Sequence, residues 1–166
     1  MSDGFKGGME QVEAIEVAQT LEKSGADALV LSGGFVSKAP MYILRGAMPV
    51  KILAHYMEDK LMKLFVGLFG NQLIKKEIFT EGYFLEDALK FRAQLKLPLV
   101  YVGGLLSQDK IVEVLDHGFE LVAIARALIK DPDFVNKLLD HVLSQSSCDT
   151  CNYCIAKMYT HQATCI

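Results

Sequence analysis

Apolar residues recur along this chain in two rhythms, helical stripes and short unbroken runs, and the two alternate. Val12, Ile15, Ala18 and Leu21 make a helical stripe that ends near Gly25. The run 27–34 follows as a buried strand, closed by Gly33-Gly34. A helix over 84–95, with Leu85, Ala88, Leu89 and Arg92 on one side, leads to the strand Pro98-Leu-Val-Tyr-Val-Gly-Gly104. Ser107 then caps a helix whose Ile111, Val112 and Leu115 share a face, and Gly118 stops it. The strand Leu121-Val-Ala-Ile-Ala-Arg126 comes next. Asp131-Pro132 opens a last helix that is expected to bury Phe134, Val135, Leu138, Leu139 and Val142. Each strand is almost wholly apolar rather than alternating, which predicts parallel strands covered on both faces and an α/β class.

Between residues 35 and 83 the strand–helix rhythm lapses. The stretch 55–76 is dense in Met57, Leu61, Met62, Leu64, Phe65, Val66, Leu68 and Phe69. It predicts a buried or interfacial helix interrupted by Gly67 and Gly70. A long excursion after a strand reads either as a lid over a substrate pocket or as a helix docked on the body or on a partner.

Length changes the picture. A closed (β/α)8 barrel needs about 250 residues, whereas this chain has 166, and only three strands can be placed. Three parallel strands alone leave two sheet edges and an apolar face open. The expectation is therefore a fragment, one half of a split assembly, or a smaller reorganised α/β fold. Composition is that of an ordinary core-forming domain, with 51% hydrophobic and 22% charged residues. A net charge of −3 without a cluster of basic residues argues against a nucleic-acid surface. No signal-peptide pattern opens the chain and no apolar run reaches the roughly 18 residues of a membrane span, so a cytoplasmic location is expected.

The four cysteines all lie in the tail, as Cys148, Cys151, Cys154 and Cys165, spaced Cys-x2-Cys-x2-Cys-x10-Cys. Thiolates at such spacing can face one soft metal, either an iron–sulfur cluster or a structural zinc, and a disulfide pair is the competing reading. His161 lies between two of them and could replace a cysteine ligand. The other polar candidates read as structural. His117 suits a helix C-terminus, Asp131 and Asp133 suit a helix start, and His55 and His141 suit the surface. Gly33-Gly34 reads as a plain turn.

Three blocks, Val102-Gly-Gly104, the stretch from Gly118 through Arg126 to Lys137, and Cys151-Asn-Tyr-Cys154, together resemble the C-terminal half of the old yellow enzyme family. Ser2-Asp-Gly-Phe-Lys-Gly-Gly8 is similar to the loop after that family's fifth strand. These are FMN-dependent NAD(P)H oxidoreductases on a (β/α)8 barrel, and the likeness is strongest to the branch of 2,4-dienoyl-CoA reductase and trimethylamine dehydrogenase. The resemblance implies a partial TIM barrel, about strands six to eight over residues 1–145, with 35–83 as a lid-like insertion and 146–166 as a cysteine-rich tail. It implies that Gly103 and Gly104 offer backbone N–H groups to the FMN phosphate, with Ala125 adding its backbone and Arg126 its guanidinium. It further implies that Cys148, Cys151, Cys154 and Cys165 hold a [4Fe–4S] cluster, zinc and free thiols remaining the alternatives. The activity implied is hydride transfer from NAD(P)H through the flavin to a small-molecule acceptor such as an electron-poor alkene. The family's substrate-anchoring residues come from earlier strands, so this chain alone is expected to be inactive. The alternatives are a half-barrel subunit that associates with a complementary N-terminal half or with copies of itself, and a cysteine-rich metal module.

Overall fold

The structure is a computed structural model that describes all residues except 36–37, 56, 58, 74–76, 158–163 and 166, with the backbone alone at 40, 41, 53 and 73. Its centre is a parallel sheet of three strands, β1 (Leu29–Leu31), β2 (Leu99–Val102) and β3 (Leu121–Ala123), in the order β1-β2-β3. The register sets Val30 beside Val100 and Val100 beside Leu121. This is the expected α/β arrangement of parallel strands. Among the described residues the sheet does not close into a barrel.

Helices α1 (Gln11–Lys23), α5 (Leu85–Arg92) and α6 (Gln108–Asp116) cover one sheet face. Their core gathers Ala14, Ala18, Leu31, Ala88, Phe91, Leu99, Tyr101 and Val114. A smaller cluster of Leu106, Ala127, Phe134 and Leu138 lies where α7 (Arg126–Lys130) and α8 (Phe134–Leu139) follow β3. Two charged anchors set the height of β2. Glu22 accepts the Lys96 and Leu97 N–H groups at 2.6 and 2.7 Å, and Glu120 accepts that of Leu99 at 2.7 Å.

Local signals decide where elements start and stop. Glu10 and Glu13 form a reciprocal capping box on α1. The Ser107 Oγ accepts the Lys110 N–H at 3.2 Å, as its capping role predicts. Gly118, at φ +85°, turns the chain after α6. The start of α8 lies two residues later than expected. Its N-cap is Asp133, while Asp131 accepts the Asp133 N–H at 3.1 Å and pairs with Lys137 at 2.6 Å.

Several helix faces are rotated from the expected ones. On α6 the fully buried residue is Val114, while Val112 and Leu115 are exposed. On α1 it is Ala14 and Ala18 that enter the core, leaving Val12 and Leu21 outside. Of the apolar residues expected inside on and after α8, Phe134 and Leu138 are buried, and Val135, Leu139 and Val142 face out. Periodicity sets the width of an apolar stripe, but the surface available to cover it decides which edge goes inside.

The 35–83 excursion contains α2 (Pro40–Leu44), α3 (Val50–His55) and α4 (Lys60–Leu73). Against the expected interruption, α4 runs unbroken through Gly67 and Gly70, and its large apolar side chains are exposed, which removes the buried alternative and not the interfacial one. Gly70 is required by packing, because a Cβ there would come within 2.6 Å of Val50 on α3.

Candidate functional site

Pairing of Val102 with Ala123 delivers two chain segments side by side at the carboxyl end of the sheet, Gly103-Gly104 from β2 and Ile124-Ala125-Arg126 from β3. β3 is shorter than expected, and Arg126 is the first residue of α7 rather than the last of the strand. The predicted cup residues are thus neighbours by topology.

What surrounds them is aromatic. Gly104 has φ +67°, and a Cβ on it would stand 2.5 Å from the Tyr83 ring and 2.9 Å from Phe79. A Cβ on Gly103 would meet the Tyr101 hydroxyl at 2.5 Å. That hydroxyl donates to the Gly103 carbonyl at 2.9 Å and accepts the Phe84 N–H at 3.3 Å. Ring packing therefore accounts for both glycines. Burial pushes the phenols of Tyr101 and Tyr83 above their ordinary range, so both are neutral donors near pH 7. Tyr83 uses its proton on the Ile43 carbonyl at 2.8 Å.

Arg126 faces the chain itself. Its Nη1 donates to the Arg45 carbonyl at 2.9 Å and to Asn152 Oδ1 at 2.8 Å, with the Leu44 carbonyl at 3.4 Å, and its guanidinium lies 5.4 Å from the Phe79 ring centre. Asn152 completes the clamp by donating from Nδ2 to the Leu44 and Ala47 carbonyls at 2.7 and 2.9 Å. It is only 3% exposed and holds φ +61°, a left-handed conformation that asparagine tolerates better than most residues. A second cation was missed by sequence reasoning. The Arg45 guanidinium lies 4.7 Å from the Tyr83 ring centre, 5.4 Å from Phe84 and 5.7 Å from Tyr42. Both guanidinium groups act on Tyr83, lowering its phenol against the burial effect. Glu81, also missed, accepts the Leu106 N–H at 2.6 Å and the Ser107 hydroxyl at 2.9 Å, and takes the Ser107 N–H as well. It borders a cleft of about 680 Å³ with Arg45, Gly82, Lys110 and His117.

The cysteine tail folds back under this clamp. Cys154 is buried and Cys148, Cys151 and Cys165 are half-buried, none in a disulfide. Burial is the largest cause pushing the Cys151 and Cys154 thiols up, and the neighbouring Cys165 adds to both, with Cys148 adding to Cys154. Among the described residues no three His, Cys, Asp or Glu side chains converge as a metal site requires. His161 lies outside the described residues. His117 is the C-cap of α6, as expected of a helix-end histidine, and His141 is exposed at φ +55°. His55 closes α3.

The donor set at the sheet end suits a phosphate by its chemistry, since a guanidinium can pair two phosphate oxygens. In this conformation one nitrogen of that fork is given to Arg45 and Asn152.

No family model matches the chain, and no solved structure matches it. It is similar to 4,4'-dithiodibutanoate disulfide reductase of Rhodococcus erythropolis, at 39% identity over 163 residues, covering 96% of this chain and 40% of that protein. It is also similar to the imidazole glycerol phosphate synthase subunit HisF of Chloroherpeton thalassium, at 27% identity over 117 residues, 70% of this chain and 45% of that one. The same subunit of Chlorobium limicola matches at 31% over 62 residues, 37% of this chain and 25% of that one. Nearly the whole chain thus corresponds to part of a larger oxidoreductase. It spans about 40% of the disulfide reductase's length.

Proposed function

We propose that this chain is the phosphate-holding part of an FMN-dependent NAD(P)H oxidoreductase and that a complementary β/α half completes its sheet. The observation that carries the reading is the pairing of β2 with β3, which sets Gly103-Gly104 and Ala125-Arg126 side by side at one sheet end. The likeness to an oxidoreductase over 96% of the chain supports it. So does the name of the second relative, which makes a phosphate ester.

In this reading Arg126 gives its fork to the phosphate, and Gly103 and Gly104 keep the backbone close to it. Tyr83 and Phe79 wall the site against water. Bound FMN would supply two-electron chemistry. A disulfide is the favoured acceptor, because two electrons and two protons convert it into two thiols and the Rhodococcus protein is named for reducing one; an activated alkene is the second candidate.

The sheet supports completion by another half. Val30 is 61% exposed and Leu121 60%, and they flank Val100 in register on the face that no described helix covers. Parallel sheets are buried on both faces, and covering each such side chain contributes about 1.5–3 kcal/mol. The test is co-expression with the part of the Rhodococcus protein that this chain does not match. The complex should retain flavin and oxidise NADH or NADPH with a disulfide as acceptor, while the chain alone retains none. Arg126→Ala should weaken FMN binding by about 30-fold or more, the loss of a charged phosphate pair. Flavin held equally by that variant would remove Arg126 from the site. Assembly unaffected by Val30→Asp with Leu121→Asp would remove the bare sheet face from the interface.

A further inference from the structure

Arg126 is held without being neutralised. Three amide oxygens, those of Leu44, Arg45 and Asn152, all accept from its Nη1, at 3.4, 2.9 and 2.8 Å. None of them carries a charge, and among the described residues no carboxylate pairs with this guanidinium. A carboxylate in the same place would bind the cation more strongly and cancel its field. Neutral oxygens fix the fork and leave its charge for an anion.

The side chain that completes this arrangement comes from the tail. Asn152 is buried, and both ends of its amide are used. Oδ1 faces Arg126, while Nδ2 donates to the Leu44 and Ala47 carbonyls. The amide cannot be turned over, since Nδ2 would then face the donating guanidinium and Oδ1 would face two carbonyl oxygens. The backbone around it is fixed as well. Thr150 and Asn152 both hold left-handed φ values, +56° and +61°, and the Thr150 carbonyl accepts the Ala47 N–H at 3.2 Å. Threonine is poorly suited to that conformation, and such strain persists only where the surroundings over-determine it. A Cβ on Gly46 would come within 2.5 Å of the Thr150 carbonyl oxygen, so the tail and the loop fit closely.

We propose that Asn152 is a positioning residue for an anion at the sheet end: it orients Arg126 through neutral oxygens, so that the guanidinium keeps its full charge for a phosphate. This rests on the reading of Arg126 and Gly103-Gly104 as phosphate ligands, all of which this chain carries by itself. The test is a titration of the full chain with inorganic phosphate, at an ionic strength held constant with chloride. NMR follows the Gly103 and Gly104 amides and the Arg126 and Asn152 side chains. In the wild type the Arg126 signals should move with phosphate while the Asn152 side-chain amide stays in place. Asn152→Gly should weaken binding about fivefold, the fold-change of one ordinary hydrogen bond. Asn152→Asp should weaken it about 30-fold, as Arg126→Ala does, because its carboxylate keeps the contact and cancels the charge. A purely structural asparagine predicts the reverse order, since aspartate retains the Arg126 contact and glycine loses it. Phosphate bound by Asn152→Asp as tightly as by Asn152→Gly, or more tightly, overturns the proposal. An Asn152 amide that shifts together with Arg126 in the wild type overturns it as well, by making Asn152 a competitor of the anion; this readout needs no variant to fold. Arg126→Ala without effect, or a wild type that binds no phosphate, removes the phosphate site itself and the proposed function with it.

Discussion

Replacing Asn152 by alanine is the sharpest test of how the cysteine tail is used. The substitution removes two donations to the Leu44 and Ala47 carbonyls and the acceptor for Arg126. The two neutral bonds are worth about 1 kcal/mol each and the charged one about 1.5 kcal/mol, discounted by about 0.5 kcal/mol because Arg126 keeps the Arg45 carbonyl. The side-chain loss is therefore about 3 kcal/mol. Alanine must also hold the left-handed backbone, at φ +61°, which adds about 1 kcal/mol. Glycine separates the two effects, since it loses the bonds and is free of the backbone strain. With an urea m-value of about 2 kcal/mol/M, Asn152→Ala should lower the unfolding midpoint by about 2 M and Asn152→Gly by about 1.5 M, both at unchanged m. An alanine variant within about 0.5 kcal/mol of wild type, or a glycine variant less stable than the alanine one, would refute the clamp. A double-mutant cycle with Arg126→Ala should return about 1 kcal/mol of coupling.

Three further outcomes follow from the same geometry. Gly104→Ala should cost more than 2 kcal/mol, roughly twice Gly25→Ala, because both backbones are left-handed but only at Gly104 does the added Cβ meet rings at 2.5 Å; equal melting temperatures would contradict the packing. Asp131, Glu22 and Glu120 have carboxyls held below their ordinary range, by the Lys137 side chain for the first and by backbone N–H groups for the other two. Their folded pKa values lie below the unfolded ones, so their stabilisation is complete above about pH 4.5 and is lost as pH falls through the folded values. Glu22→Gln with Glu120→Gln should flatten the acid limb of the stability curve, and an unchanged limb would dismiss these anchors. Elemental analysis of the purified chain should find neither iron nor zinc in stoichiometric amount, since among the described residues no three ligand side chains converge; one metal per chain would show that the tail rearranges.

What was legible in the sequence was whatever had a local cause. The unbroken apolar runs announce parallel strands, Ser107 announces a helix start, and Gly118 its end. The clamp had no such signature. Arg126 bonds to carbonyls 81 and 82 residues away, and a backbone carbonyl leaves no mark on the sequence. The cage around Arg45 joins Tyr42 to Tyr83 and Phe84 across about forty residues. Asn152 did carry a faint signal, an asparagine between two cysteines where a turn is needed, and asparagine favours left-handed backbone. Its spacing drew attention to the thiols instead.

The faces that were misread share one physical cause, and it bears on the assembly. Val12, Leu21, Leu139 and Val142 belong to stripes that the pattern places inside, yet they are exposed. So are Val30 and Leu121, on a sheet whose strands are apolar on both sides. The pattern describes a chain with more cover than three strands and their helices supply. If that cover belongs to a complementary half, Val30→Thr with Leu121→Thr should leave the isolated chain within about 0.5 kcal/mol of wild type and raise its solubility, because these side chains already face water. The assembled form should lose roughly 2 kcal/mol or more, the apolar burial of two side chains. A loss of that size in the isolated chain, measured by the same urea titration, would mean that this chain buries its second sheet face by itself, and the case for a missing half would fall with it.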